Sequence, residues 1–165
     1  HLGRRHVEVE PGISIDHSIP LDWLPDFERA LAARDDLAAF VAFSRPHVKV
    51  FQRMPLWLAK AAMRPALRGE LWEHMRPLLP STVAEHKQVG VYDSTYQSYA
   101  AVTAPVLLVA GGKSEPWAQK AIAALGRTIP RAQAAVLPKL EHLAPLNRYS
   151  PREVAQCVRP HFLAA

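Results

Sequence analysis

The sequence predicts an α/β fold: parallel strands with flanking helices, joined to a helical block. Three observations carry this. Residues 105–112 read Pro-Val-Leu-Leu-Val-Ala-Gly-Gly, a continuous apolar run ending in paired glycines, as expected of a strand buried on both faces of a parallel sheet. Residues 104–163 alternate strand, helix, strand, helix, the order that builds parallel sheets. Between about 21 and 100 the apolar residues recur at helical spacing and no strand pattern intervenes.

Taken in chain order, His6-Val-Glu-Val-Glu10 alternates and then meets Pro11-Gly12, a short strand entering a turn. Residues 13–20 are irregular. From Leu21 to Ala33, Trp23, Leu24, Phe27, Ala30 and Leu31 share one helical face. Asp35-Asp36 are placed to cap a second helix from Leu37 to Ser44. A third stretch from Met54 to Leu67 mixes apolar and basic positions, Gly69 breaks it, and further helices are expected over 71–79 and 82–89. Beyond the run at 105–112, residues 114–128 form a helix with Trp117, Ala121, Ile122 and Leu125 inward. Residues 132–137 form a strand and 138–145 a loop. Pro151 suits the first turn of a closing helix, with Val154, Val158 and Leu163 packing inward.

Three strands are thin for a parallel sheet, whose strands need neighbours and cover on both faces. Further strands are therefore expected from polypeptide preceding these residues, a view that fits a chain beginning with His1 and not Met. A short sheet also leaves an unpaired edge that invites association. The expected partners are a small-molecule substrate and either that preceding segment or a second copy of the chain.

Composition narrows the classes. The 165 residues, 49% apolar and 21% charged, have enough material for a core. Residues 1–100 hold twelve basic and twelve acidic side chains; residues 101–165 hold eight and three, which is all of the net +5. No basic run interleaved with aromatics occurs, so nucleic acid is not an expected partner. No segment is long and apolar enough to span a bilayer, and no signal peptide is visible; a cytoplasmic location and no membrane partner are expected. Cys157 is the only cysteine, so no internal disulfide forms, and a buried thiol is its expected state.

Ligands of open parallel sheets gather beyond the carboxyl ends of the strands. Glu10-Pro11-Gly12, Gly111 to Pro116 and Leu140 to Leu143 meet that condition. His142, between the last strand and the last helix, is the strongest candidate, because a neutral imidazole is a competent base near neutral pH; a plain surface-loop histidine is the alternative. Lys113 after two glycines is no phosphate loop. His47, His74 and His86 lack metal-ligand spacing, so no metal and no cofactor is expected. Trp57, Met63 and Trp72 either line a substrate pocket or simply pack the helical block.

The stretches Ala104-Pro-Val-Leu-Leu-Val-Ala-Gly-Gly112 and Leu137-Pro-Lys-Leu-Glu-His-Leu-Ala-Pro145 resemble the end of an α/β-hydrolase domain, where a strand, a helix, a last strand, a histidine loop and a closing helix follow in that order. Leu2 to Pro11 is similar to the strand after the nucleophile helix, and residues 13–100 to the helical cap inserted there. The resemblance implies a partial α/β-hydrolase fold: residues 1–12 a core strand, 13–100 a lid, 101–165 the C-terminal core segment. It implies a serine-type hydrolase acting on an ester-like small organic substrate, with His142 as general base.

Two departures accompany it. No serine stands in Gly-x-Ser-x-Gly, the strained turn that presents the family nucleophile, so the chain alone is not expected to hydrolyse anything. The position after Gly112, where the family usually carries an aspartate, reads Lys113-Ser114-Glu115. Glu10 is the favoured acid, since some relatives such as certain haloalkane dehalogenases carry it after the earlier strand; Glu115 is the second choice. The rival reading is a non-catalytic relative that binds a ligand or another protein.

Overall fold

The computed structural model describes residues 5–46, 48–65, 67–142, 144–146 and 149–163. The readings that involve residues 1–4, His47 and Leu143 lie outside the described residues.

Pro20–Val91 form one compact unit, and the described residues on either side of it form another. In the second unit, three parallel strands lie in the order β1-β2-β3: β1 His6–Val9, β2 Val106–Gly111 and β3 Ala132–Leu137. His6 pairs with Val106 and Val9 with Val109 on one side. On the other, Val106 pairs with Ala132 and Gly111 with Leu137. The apolar run makes the central strand, as its composition demands, and every residue of β2 is buried.

One face of β2 (Val106, Leu108, Ala110) packs on Ile122, Leu125 and Ile129. The first two come from α7, Pro116–Thr128, which links β2 to β3. Leu107 and Val109 are buried on the opposite face. The closing helix α8, Pro151–Leu163, begins at Pro151 and buries Val154. Leu163 departs from expectation: it is 69% exposed, and in the last turn of α8 it is His161 that is buried. Cys157 is half-buried and free.

The helical unit contains α1 Leu24–Ala32, α2 Asp36–Ser44, α3 Lys49–Gln52, α4 Leu56–Met63, α5 Glu70–Met75 and α6 Leu79–Val91. Its centre is α2, which offers Ala39 and Ala42 to a cluster with Trp23, Leu24, Phe27 and Leu79, and Val41 to a second cluster with Phe51 and Ala59. Asp35 caps α2, its carboxylate accepting from the Ala38 N–H at 2.9 Å, so the capping signal in the sequence is realised.

The single stretch expected over 54–67 is instead α4 alone, preceded by the unforeseen one-turn α3. Pro55 is the reason. It has extended geometry, φ −54° and ψ 145°, and a proline both lacks an N–H and pushes the residue before it out of the helical region. A 3₁₀ helix at Tyr96–Ala101 was also not expected. No described helix is long and apolar enough to cross a membrane.

Candidate active site

β1 stops at Val9, and Glu10 follows with φ +49°. A left-handed conformation costs a non-glycine residue roughly 1–2 kcal/mol, and the following Pro11 restricts Glu10 further. Such a residue persists only where its surroundings hold it. Here the Glu10 N–H donates to the Val109 carbonyl at 2.8 Å, and the side chain, 3% exposed, is held by three groups.

The Gly111 N–H donates to Glu10 Oε1 at 2.7 Å. The Ser114 hydroxyl donates to the same oxygen. The second oxygen, Oε2, lies 2.5 Å from Nδ1 of His142. An ionised carboxylate only accepts hydrogen bonds, so this arrangement places a proton on Nδ1 and leaves the lone pair of Nε2 to take a proton from elsewhere. The imidazole side chain is 52% exposed, so that nitrogen has access to a reacting group.

The histidine loop reaches this position by lying against the end of β2. The Gly112 N–H donates to the Leu137 carbonyl at 2.8 Å, and the Lys113 N–H to the Leu140 carbonyl at 2.9 Å. No side chain fits at the two glycines. A Cβ on Gly111 would stand 2.7 Å from the carbonyl carbon of Leu140 and 2.6 Å from Ser114 Oγ, and one on Gly112 would stand 2.7 Å from Cα of Pro138. Both are too close for real contacts, so the paired glycines let two backbones touch. Beyond His142, the Ala144 N–H closes a turn on the Glu141 carbonyl at 2.9 Å.

Trp117, on the first turn of α7, stands edge-on to His142 with ring centroids 5.4 Å apart at 71°. Its indole N–H donates to Glu115 Oε2 at 3.2 Å. Of the two candidate acids, therefore, Glu10 is bonded to the imidazole, while Glu115 meets the tryptophan that packs on it. Ser114, Trp117 and the Gly111 N–H were not singled out from the sequence as site groups. The signal was present, since all three lie at or just after the carboxyl end of the most buried strand, but the sequence does not say which of those groups turn toward Glu10.

The three pocket candidates lie in the helical unit and differ among themselves. Trp57 is 70% exposed. Met63 packs on Val41, Phe51 and Ala59. Trp72 packs edge-on to Phe40 at 5.8 Å and 83° and lines a depression of about 250 Å³ with Arg64 and Arg76. In the strand-bearing unit, an apolar cavity of about 370 Å³ lies along His6, Glu8, Ile13, Leu108 and Leu125; neither His142 nor Glu10 lines it. Among the described residues no group of three or more His, Cys, Asp or Glu is placed to hold a metal ion.

The chain is similar in structure to an α/β hydrolase from Sphaerobacter thermophilus, with a TM-score of 0.67 and 21% sequence identity over 96% of this chain and 58% of that one. The fold is thus α/β-hydrolase-like, and the chain spans 58% of the length of that neighbour. No family model and no curated protein sequence matches it.

Proposed function

We propose that these residues form the later part of an α/β-fold hydrolase that cleaves an ester-like or related small organic substrate. In this reading His142 is the general base and Glu10 the acid that orients it. A serine supplied by polypeptide outside these residues is the nucleophile. The observation that carries the proposal is the 2.5 Å contact of Glu10 Oε2 with His142 Nδ1. A buried carboxylate on Nδ1 selects the tautomer whose Nε2 accepts the hydroxyl proton, and then stabilises the imidazolium that forms. His142 would return that proton to the leaving group, so the acid–base cycle closes on one ring.

The outer edges of β1 and β3 are unpaired among the described residues, and one of them is where a nucleophile-bearing segment, or a second copy of the chain, would join the sheet. The helical unit would serve as a lid that sets substrate choice through Trp57, Met63 and Trp72.

A fluorophosphonate probe tests this on the full-length gene product that contains these residues. Labelling is expected on a serine outside them, and His142→Ala should abolish both labelling and ester hydrolysis. Undiminished hydrolysis by the variant would overturn the proposal. A second reading, a non-catalytic ligand-binding relative, draws on the fact that none of the serines here stands in Gly-x-Ser-x-Gly. A full-length product that binds small esters yet is never labelled would establish it.

A further inference from the structure

We infer that Ser114 is a positioning residue for the Glu10–His142 pair, with its hydroxyl acting through the carboxylate and not on substrate. The inference rests on the hydrolase reading above and deepens it. Glu10 is buried, and its two oxygens are divided between two tasks. Oε1 takes the Gly111 N–H at 2.7 Å and the Ser114 hydroxyl, whereas Oε2 faces the imidazole.

The backbone donor alone does not determine the plane of the carboxylate, because the side chain can still rotate about an axis through a single bonded oxygen. A second donor on that same oxygen removes the freedom and keeps Oε2 turned to Nδ1. Ser114 is itself anchored, its N–H donating to the Gly111 carbonyl at 3.2 Å, so both donors to Oε1 belong to one turn after β2. The Ser114 hydroxyl is engaged in this bond, its proton directed at the Glu10 carboxylate.

The carboxylate gains from both donors, since hydrogen bonds to a charged acceptor are the stronger ones and a buried charge needs them. Ser114 thereby biases the choice of acid. It fastens Glu10 in the position from which the ring is reached, while the neighbouring Glu115 engages the Trp117 indole.

The readout is the tautomer of His142, observed through the nitrogen-15 shifts of its two ring nitrogens in alkaline buffer on this 165-residue chain. Circular dichroism checks that each variant is folded. The unaltered chain should show one dominant tautomer with the proton on Nδ1. Ser114→Ala should lose that dominance and show a mixture, and Ser114→Thr, which keeps the hydroxyl, should retain the single form. A Ser114→Ala spectrum equal to that of the unaltered chain would overturn the role of Ser114 and leave the hydrolase reading standing. An unaltered chain with no preference for Nδ1 would instead remove the Glu10–His142 pair, and both readings would fall.

Discussion

Glu10 and His142, separated by 132 positions in the chain, meet at 2.5 Å through Oε2 and Nδ1. Each stands at the end of a different strand of one parallel sheet, and β2 between them supplies the backbone donor that holds the carboxylate. The relationship makes the two glutamates of the site unequal. In the full-length product, Glu10→Gln should lower kcat for ester hydrolysis by about 10⁴-fold, the effect of presenting an amide where a carboxylate must select the tautomer. Glu115→Gln should leave kcat close to that of the unaltered protein. Steady-state assays of both variants check this, and an equal loss in the two would deny Glu10 its special place.

The paired glycines should tolerate no side chain. Gly111→Ala sets a Cβ against the Leu140 carbonyl and Ser114 Oγ; the first cannot retreat without moving the histidine loop, nor the second without disturbing its bond to Glu10. Overpacking of this kind costs about 1–3 kcal/mol. The denaturant midpoint should fall with an unchanged slope, and the His142 ring resonances should shift with it. Retention of both would mean that the loop is softer than its contacts suggest.

In the helical unit, exposure separates two aromatic residues. Phe27 is fully buried between Trp23 and α2, so Phe27→Ala should cost about 3–5 kcal/mol. Trp57, exposed on α4, should give a change within about 0.5 kcal/mol on replacement by Ala. If Trp57 contacts substrate as proposed, that variant should raise KM or alter the preferred acyl length with little change in Tm. Thermal melts and a panel of ester chain lengths together check both halves.

Asp35 links acid to the stability of the helical unit. Its carboxyl is held below the usual carboxylate range, first by the Lys60 side chain and then by the Ala38 N–H. A carboxyl whose folded value is lowered contributes stability above its unfolded value, and loses it as pH falls through the folded one. Asp35→Asn keeps a capping oxygen but cannot ionise. The deficit of the variant should therefore be largest at neutral pH and shrink as acid protonates the native residue. Both partners are partly exposed, so solvent screening keeps that deficit within about 1 kcal/mol. Unfolding curves across the acid range check the trend, and a deficit that grows toward low pH would contradict it.

The secondary structure of the strand-bearing unit was legible in the sequence because it depends on local periodicity. The unbroken apolar run of 105–112 announced a central strand, the residues from Ala132 to Leu137 became β3, Pro151 opened the last helix, and Asp35 capped α2. Local reading weakened where a single residue redirected the chain. Pro55 fixed the start of α4 inside the stretch expected over 54–67 and parted it from α3, and Leu163 kept the helical spacing of an inward residue while the last turn buried His161 instead.

The site itself belongs to tertiary structure. The sequence could nominate His142, Glu10 and Glu115 as groups near strand ends, but which carboxylate reaches the ring follows from the strand order β1-β2-β3 and its register, and these are long-range choices. Ser114 became a partner of Glu10 only when β1 paired with β2, and the two glycines became sites of backbone contact only when the loop after β3 folded back onto the end of β2. Hydrophobic spacing along a chain reports which face of an element is apolar. The meeting of two polar groups more than a hundred residues apart is decided by how those elements are stacked.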